Sequence, residues 1–305
     1  MKNKLFAVLA AFGVVASASA VKINDNLSIN GFIDGSYQLS ENDGAANTQG
    51  LGLDEVEVNL NANVGSVSGL IALDNNGGNT INIEQAHITH NINDAVSISF
   101  GRYGAALGFE REDPAGLYTF SRAYNGAFNL GDVDSASVEG ITVAYTADTF
   151  SIAASFEEAA GANLETEDLN LELSFTYSGI ADVNIGGGYF FDNQANAALE
   201  TDILNLHISK QVGKLLLAGE YIEMSSDAGD NDAYLLLADY DVNDKLGVAV
   251  RFSQNEQGAN ADYEKFTIAP NYAITDSLGA IIEYSDVDNN NAKSEEYAVE
   301  LTYTF

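Results

Sequence analysis

The 305-residue chain has no cysteine, no tryptophan, two prolines and three histidines. Without thiols there is no disulfide framework, no thiolate nucleophile and no cysteine-based zinc site. No apolar run approaches the roughly 20 residues a transmembrane helix needs, because charged or amide residues interrupt every such stretch. Basic residues are scarce as well: twelve Lys and Arg stand against 45 Asp and Glu, a net charge of −33. That balance excludes a nucleic-acid partner. It leaves two compatible readings, a solvated acidic surface or acidic loops and lumen that attract cations and repel anions.

The first twenty residues read as a secretion leader. Lys2 and Lys4 precede an apolar run over 5–16, and Ala18-Ser19-Ala20 supplies the small residues of a cleavage site. The mature chain is then expected to begin near Val21, and 21–305 to form one domain. An exported chain without disulfides needs another source of stability. A closed barrel supplies it, because every backbone polar group pairs with a neighbouring strand.

Beyond Val21, alternation of period two dominates, and helical spacing is rare. Sixteen segments qualify, from 27–39 to 296–305, within a range of fourteen to eighteen. In the last of them Tyr297, Val299, Leu301, Tyr303 and Phe305 share one face, opposite Glu296, Ala298, Glu300, Thr302 and Thr304. The segments at 169–178 and 246–254 divide the same way, and their apolar faces carry no charge. In a soluble sandwich such faces form the core; in a membrane barrel they meet lipid. Connections decide between the two. Short links such as 65–66, 147–149 and 242–245 alternate with mostly longer ones rich in Asp, Asn and Gly, the outer-membrane arrangement. Aromatics such as Tyr145, Phe150, Tyr240 and Tyr272 lie near strand ends, where girdles belong. The expected fold is an all-β, transmembrane, up-and-down antiparallel barrel of about 16 strands.

One connection stands apart. Residues 104–135 carry Pro114, five aromatics and both signs of charge, a length uncommon unless functional. By strand count this is the third loop on the long-loop side. The stretches Glu84-Gln85-Ala86-His87-Ile88-Thr89, Gly101-Arg102-Tyr103-Gly104, Gly108-Phe109-Glu110 and Tyr118-Thr119-Phe120-Ser121-Arg122-Ala123-Tyr124 resemble the OmpL-like β-barrel porin family, most clearly over 84–125. That resemblance implies an outer-membrane diffusion channel with its third loop folded into the lumen, and a homotrimer. The Pro-Glu-Phe-Gly-Gly constriction signature of many trimeric porins is absent. The terminal Tyr303-Thr304-Phe305 resembles the assembly signal of Gram-negative outer-membrane barrels, which implies the barrel-assembly machinery, outer-membrane lipid and lipopolysaccharide as partners.

Glu110, Glu112 and Asp113 are the acids expected at the constriction. Arg102, Arg111 and Arg122 are three of the four arginines and fall within twenty-one residues. Acids facing these bases would set a transverse field; equally, the pairs would pin the loop to the wall. Arg251 and Lys265, on inward faces of later strands, complete the basic side. No catalytic site is expected: His87 and His90 face opposite sides, and no serine near His207 has a nucleophile's surroundings. No cofactor is expected. The acidic runs 227–232 and 286–291 read as solvated turns, with weak divalent binding toward lipopolysaccharide as the alternative. A plugged or narrow structural barrel shares all these membrane signatures and differs in having no significant conductance.

Overall fold

The computed structural model describes residues 20–305 except 79, 111–113, 126, 127, 129, 131–136, 159–168, 194–199, 228, 257–261 and 291. The expected leader, apart from Ala20, lies outside the described residues. A four-residue stub, β1 (Val21–Asn24), folds back on β2 (Leu27–Asn42). There follow β3 (Thr48–Val64), β4 (Val67–Asn75), β5 (Asn82–Asn91), β6 (Val96–Gly104), β7 (Ser137–Thr146) and β8 (Phe150–Glu158). The second half comprises β9 (Leu169–Ile180), β10 (Val183–Phe191), β11 (Thr201–Val212), β12 (Leu215–Ser226) and β13 (Gly229–Asp241). It ends with β14 (Leu246–Glu256), β15 (Asp262–Ala273), β16 (Leu278–Asn289) and β17 (Ala292–Thr304).

Strands β2 to β17 each pair antiparallel with their sequence neighbour. The ring closes where β17 meets β2, in register from Ser294 opposite Asn42 to Thr304 opposite Phe32. Sixteen strands therefore form one closed antiparallel barrel with no free edge. Phe305 extends the closure: its N–H donates to the Gly31 carbonyl at 3.0 Å, and its carbonyl accepts from the Gly31 N–H at 3.1 Å.

Alternation sorts the side chains as the sequence leads one to expect. Phe100, Ile152, Leu236, Ile282 and Leu301 are exposed on the outer face. Ala249, Arg251, Ser253, Asn255, Thr267 and Glu300 are buried on the inner one. Outward tyrosines occupy two bands. Tyr145, Tyr177, Tyr240, Tyr272 and Tyr303 lie near the short-turn end; Tyr37, Tyr221, Tyr234 and Tyr297 lie nearer the other. In the second band the hydroxyls reach polar neighbours: Tyr221 donates to Asp232 at 2.6 Å, Tyr297 to Glu295 at 2.8 Å and Tyr37 to Gln49 at 3.2 Å. An apolar ring with a wet tip is the interfacial pattern.

The turns obey local chemistry. Gly65 and Gly213 adopt φ of 64° and 62° in two-residue links, a left-handed conformation that costs glycine nothing. At Ile92-Asn93-Asp94-Ala95 and Val242-Asn243-Asp244-Lys245 the Asn side chain accepts backbone N–H groups two and three residues on.

The opposite end differs from expectation in part. Strand pairing there runs on until only two residues separate β12 (to Ser226) from β13 (from Gly229), and β16 (to Asn289) from β17 (from Ala292). The acidic runs read as solvated turns are thus largely strand: Asp230 and Asp232 belong to β13, Asp286 and Asp288 to β16. Cross-strand pairing supplies their backbone partners and overrides their turn propensity.

Candidate functional site

The connection between β6 and β7 joins neighbouring strands, yet polar groups of its described residues are met by side chains from β9 round to β16. The Ala106 N–H donates to Glu172 at 2.8 Å, Gly108 to Asn205 Oδ1 at 3.1 Å, and Phe109 to Glu220 at 2.6 Å. Further along, Asn125 N–H donates to Asn255 at 3.2 Å, and Ser253 donates to the Ala123 carbonyl. Ser121 bonds Glu283 twice, through its N–H at 3.1 Å and through its hydroxyl. Loop backbone that strands do not pair still needs partners when buried, and inward polar side chains provide them.

Arg251 is the centre of this attachment. It is fully buried and forms a 2.5 Å ion pair with Glu110. Its two terminal nitrogens also reach Thr119 at 2.7 Å, Ser121 at 3.3 Å and the Arg122 carbonyl at 3.0 Å, while its Nε is buried without a partner. Arg122 in turn donates to the Glu110 carbonyl at 2.6 Å, and the second Glu110 oxygen accepts the Ala123 N–H at 2.8 Å. A planar guanidinium fork can reach several acceptors at once, which suits this buried junction. The Tyr124 hydroxyl donates to Glu220 at 3.1 Å; burial first, then the Glu220 and Glu110 charges, raise its pKa, so it remains a donor.

Apolar contact reinforces the polar bonds. Ala123, Tyr124 and Phe128 of the loop pack with Ile222 and Met224 of β12, Ala233, Leu235 and Leu237 of β13, and Ala249 of β14. These strand residues point inward, where a water-filled lumen would favour polar groups. On β13 their sequence signal was present: Leu235-Leu236-Leu237 is apolar on both faces, a break in alternation on a strand against which the loop packs. Glycine gaps also seat it. A Cβ at Gly188 would stand 2.9 Å from Leu107 Cδ2 and 2.0 Å from the Leu173 carbonyl oxygen.

The attachment points share one level of the barrel. Tilted strands shift constant height relative to the hydrogen-bond register by about one residue per strand. From Glu172, the strand pairing leads through Gly188, Asn205, Glu220, Leu237, Arg251, Thr267 and Glu283, with every slip toward the short-turn end. The same rule continues through Glu300, Asp34, Glu57 and Asp74 to the bulged Glu84. This belt therefore has a half that holds the loop and a half, β17 to β5, lined with carboxylates.

The candidate residues fall as follows. Glu110, Arg122 and Arg251 come together in one cluster. Lys265 is inward and buried and pairs with Glu296 at 3.1 Å. Arg111, Glu112 and Asp113 lie outside the described residues. Arg102 is a correction. It shares parity with Phe100 on the outer face, pairs with Glu139 of β7 and donates to the Ile83 carbonyl at 3.1 Å, so it does not line the lumen. Clustering in sequence misled here because adjacent strand residues face opposite sides. Tyr303 is outward and its ring stacks on Phe305, with centroids 6.1 Å apart.

His87 is inward beside Tyr103, with ring centroids 6.3 Å apart. His207 covers Gly186 and lies 5.8 Å from the Phe109 ring. Among the described residues no group of three or more His, Asp or Glu is arranged to hold a metal ion.

The sequence profile of the Gram-negative porin family matches residues 6–292. Comparison with curated proteins finds no match. Among solved structures, the outer membrane channel DcaP of Acinetobacter baumannii is 14% identical with a TM-score of 0.71, covering 94% of this chain and 100% of that one. Salmonella typhi OmpF, in complex with daunomycin, is 13% identical with the same TM-score and coverages. OmpT of Vibrio cholerae, described as an outer membrane protein, is 16% identical in its trimer form, with a TM-score of 0.61 over 92% and 100%. At such identities the likeness establishes the fold.

Proposed function

Because this chain belongs to the Gram-negative porin family and forms an outer-membrane channel barrel, we propose that it passes ions and small hydrophilic solutes by diffusion, with cations preferred. The observation that carries the reading is the closed sixteen-stranded barrel with a polar inner face, a ring wide enough for an aqueous lumen. The loop fastened by Arg251 and Glu110 is the constriction. Arg111, Glu112, Asp113 and Arg122 belong to it as well, and Lys265 lines the pore beside it. Cation preference follows from the acidic excess, which raises cation concentration at the mouths and along the wall. The leader, 1–20, directs export. Outward Tyr303 and Phe305 form the surface read by the barrel-assembly machinery, and the apolar belt meets lipid and lipopolysaccharide. A homotrimer is the proposed assembly, in line with the trimer form of the Vibrio cholerae protein.

One observation favours a narrower barrel: belt carboxylates such as Asp34 and Glu57 are almost wholly shielded from solvent. Single-channel recording in planar bilayers separates the two. Discrete conductance steps with a reversal potential toward the cation side support the channel. Absence of steps from folded, heat-modifiable protein overturns it in favour of a plugged barrel.

A further inference from the structure

We propose that the lumen carries a subsite for a neutral, polyhydroxylated solute the size of a single sugar ring. The subsite is a cavity between the root of the β6–β7 loop and the inner wall of β5 to β9. The inference rests on the channel reading above and names a solute class for it.

The cavity has a volume of about 170 Å³. That is room for on the order of ten water-sized positions, close to the heavy-atom count of a pentose. His87 of β5, Ser99 and Tyr103 of β6, Thr142 of β7, Ser155 of β8 and Ser174 of β9 line it, together with Gly104 and Ala106 where the loop leaves its strand. All of these except Ser155 are partly exposed. The strand residues alternate with outward Ile88, Phe100, Ile141, Val143, Ile152 and Leu173, so their exposure is toward the lumen.

The lining decides what it can hold. No Lys or Arg borders the cavity, which removes the anchor an anion needs. Its single carboxylate, Glu172, is buried and accepts the Ala106 N–H at 2.8 Å, so a cation meets no exposed charge there. Hydroxyls are what remain. Tyr103 and Thr142 both bond Ser155, at 2.8 and 3.1 Å, and Ser99 bonds Thr89 at 2.8 Å. A hydroxyl has one donor and two acceptor positions, so these bonds do not exhaust the set. Such groups match a solute whose own hydroxyls both donate and accept. The His87 and Tyr103 rings, edge-on with centroids 6.3 Å apart, add apolar surface for the C–H face of a sugar.

The wall beyond the cavity has the same character. Toward the short turns the inner faces of β6 to β9 continue with Ser97, Thr146, Ser151 and Thr176 and carry no charged residue. A neutral, hydrogen-bonding surface therefore leads from the subsite to the short-turn mouth.

The test uses full-length mature protein in planar bilayers, with D-xylose and triethylene glycol as probes, two neutral solutes of nearly equal mass that differ in hydroxyl content. D-Xylose is expected to reduce potassium current saturably, and triethylene glycol only in proportion to bulk conductivity. Two variants matched in chemistry are compared with the natural chain: Ser99→Ala/Thr142→Val in the cavity and Ser151→Ala/Thr176→Val nearer the short turns. Loss of two hydroxyl contacts should raise the half-blocking xylose concentration about tenfold in the first and leave it within about twofold in the second. If xylose acts like the glycol while conductance persists, or if both variants shift alike, the inference is wrong and the channel reading stands. A folded barrel without conductance overturns both. Heat-modifiable mobility reports folding; should the cavity variant not fold, Thr142→Val alone is read by the same criteria.

Discussion

Arg251 shows how one side chain can hold a whole segment in place. It is the only described residue that bonds four separate loop groups, and none of its donors to them faces water. Breaking a buried ion pair from one side costs about 3–5 kcal/mol, because the partner charge is left behind. Arg251→Ala is therefore expected to free the loop rather than the barrel: heat-modifiable mobility persists, while single-channel conductance rises and becomes noisier. Conductance unchanged within error would show that the loop is held by other means. Gly188 tests packing at the same scale. Any Cβ there meets the Leu173 carbonyl oxygen and Leu107, so Gly188→Ala should destabilise the barrel by about 1–3 kcal/mol in urea unfolding. Neutral behaviour would mean that β10 can shift without cost.

Among the elements, β12 and β13 are exceptional. Leu235 and Ile222 are fully buried on a face that elsewhere carries polar groups. Burying a side chain of this size contributes about 1.5–3 kcal/mol, enough in sum to hold the loop even if single hydrogen bonds are lost. Leu235→Asn should thus loosen the loop while the strands stay paired, because its backbone bonds to β12 and β14 are unaffected. Proteolysis within 104–135 of detergent-purified barrel measures this, and faster cleavage than in the natural protein is expected. Strand placement was legible from alternation, down to strand starts such as Val67, Val96 and Phe150. Docking was not, because alternation describes one strand at a time and the loop's partners are spread over eight strands.

For the molecule as a whole, closure governs stability. With β17 joined to β2, unzipping any strand exposes two ladders at once, and the barrel should unfold as a single unit in detergent. A gel-shift series over temperature is expected to pass between two bands without intermediates; a persistent third band would indicate separable halves. Charge is also a property of the whole. The net charge of −33 belongs to the chain as a whole, and raising salt from about 0.1 M to 1 M shortens the screening length from about 10 Å to 3 Å. Cation preference should fall across that range, and preference independent of salt would argue for a chemical filter instead.

What the sequence determined alone was the barrel: its strand number, its two faces, and the presence of one long connection in third position. These follow from side-chain period and local turn chemistry, which act over a few residues. The tertiary structure alone decided the rest. It placed Arg102 outward, brought Glu110 from residue 110 to Arg251 across the lumen, and aligned Glu300, Asp34, Glu57 and Asp74 at one height. Such meetings depend on strand tilt and ring closure, which no single segment encodes.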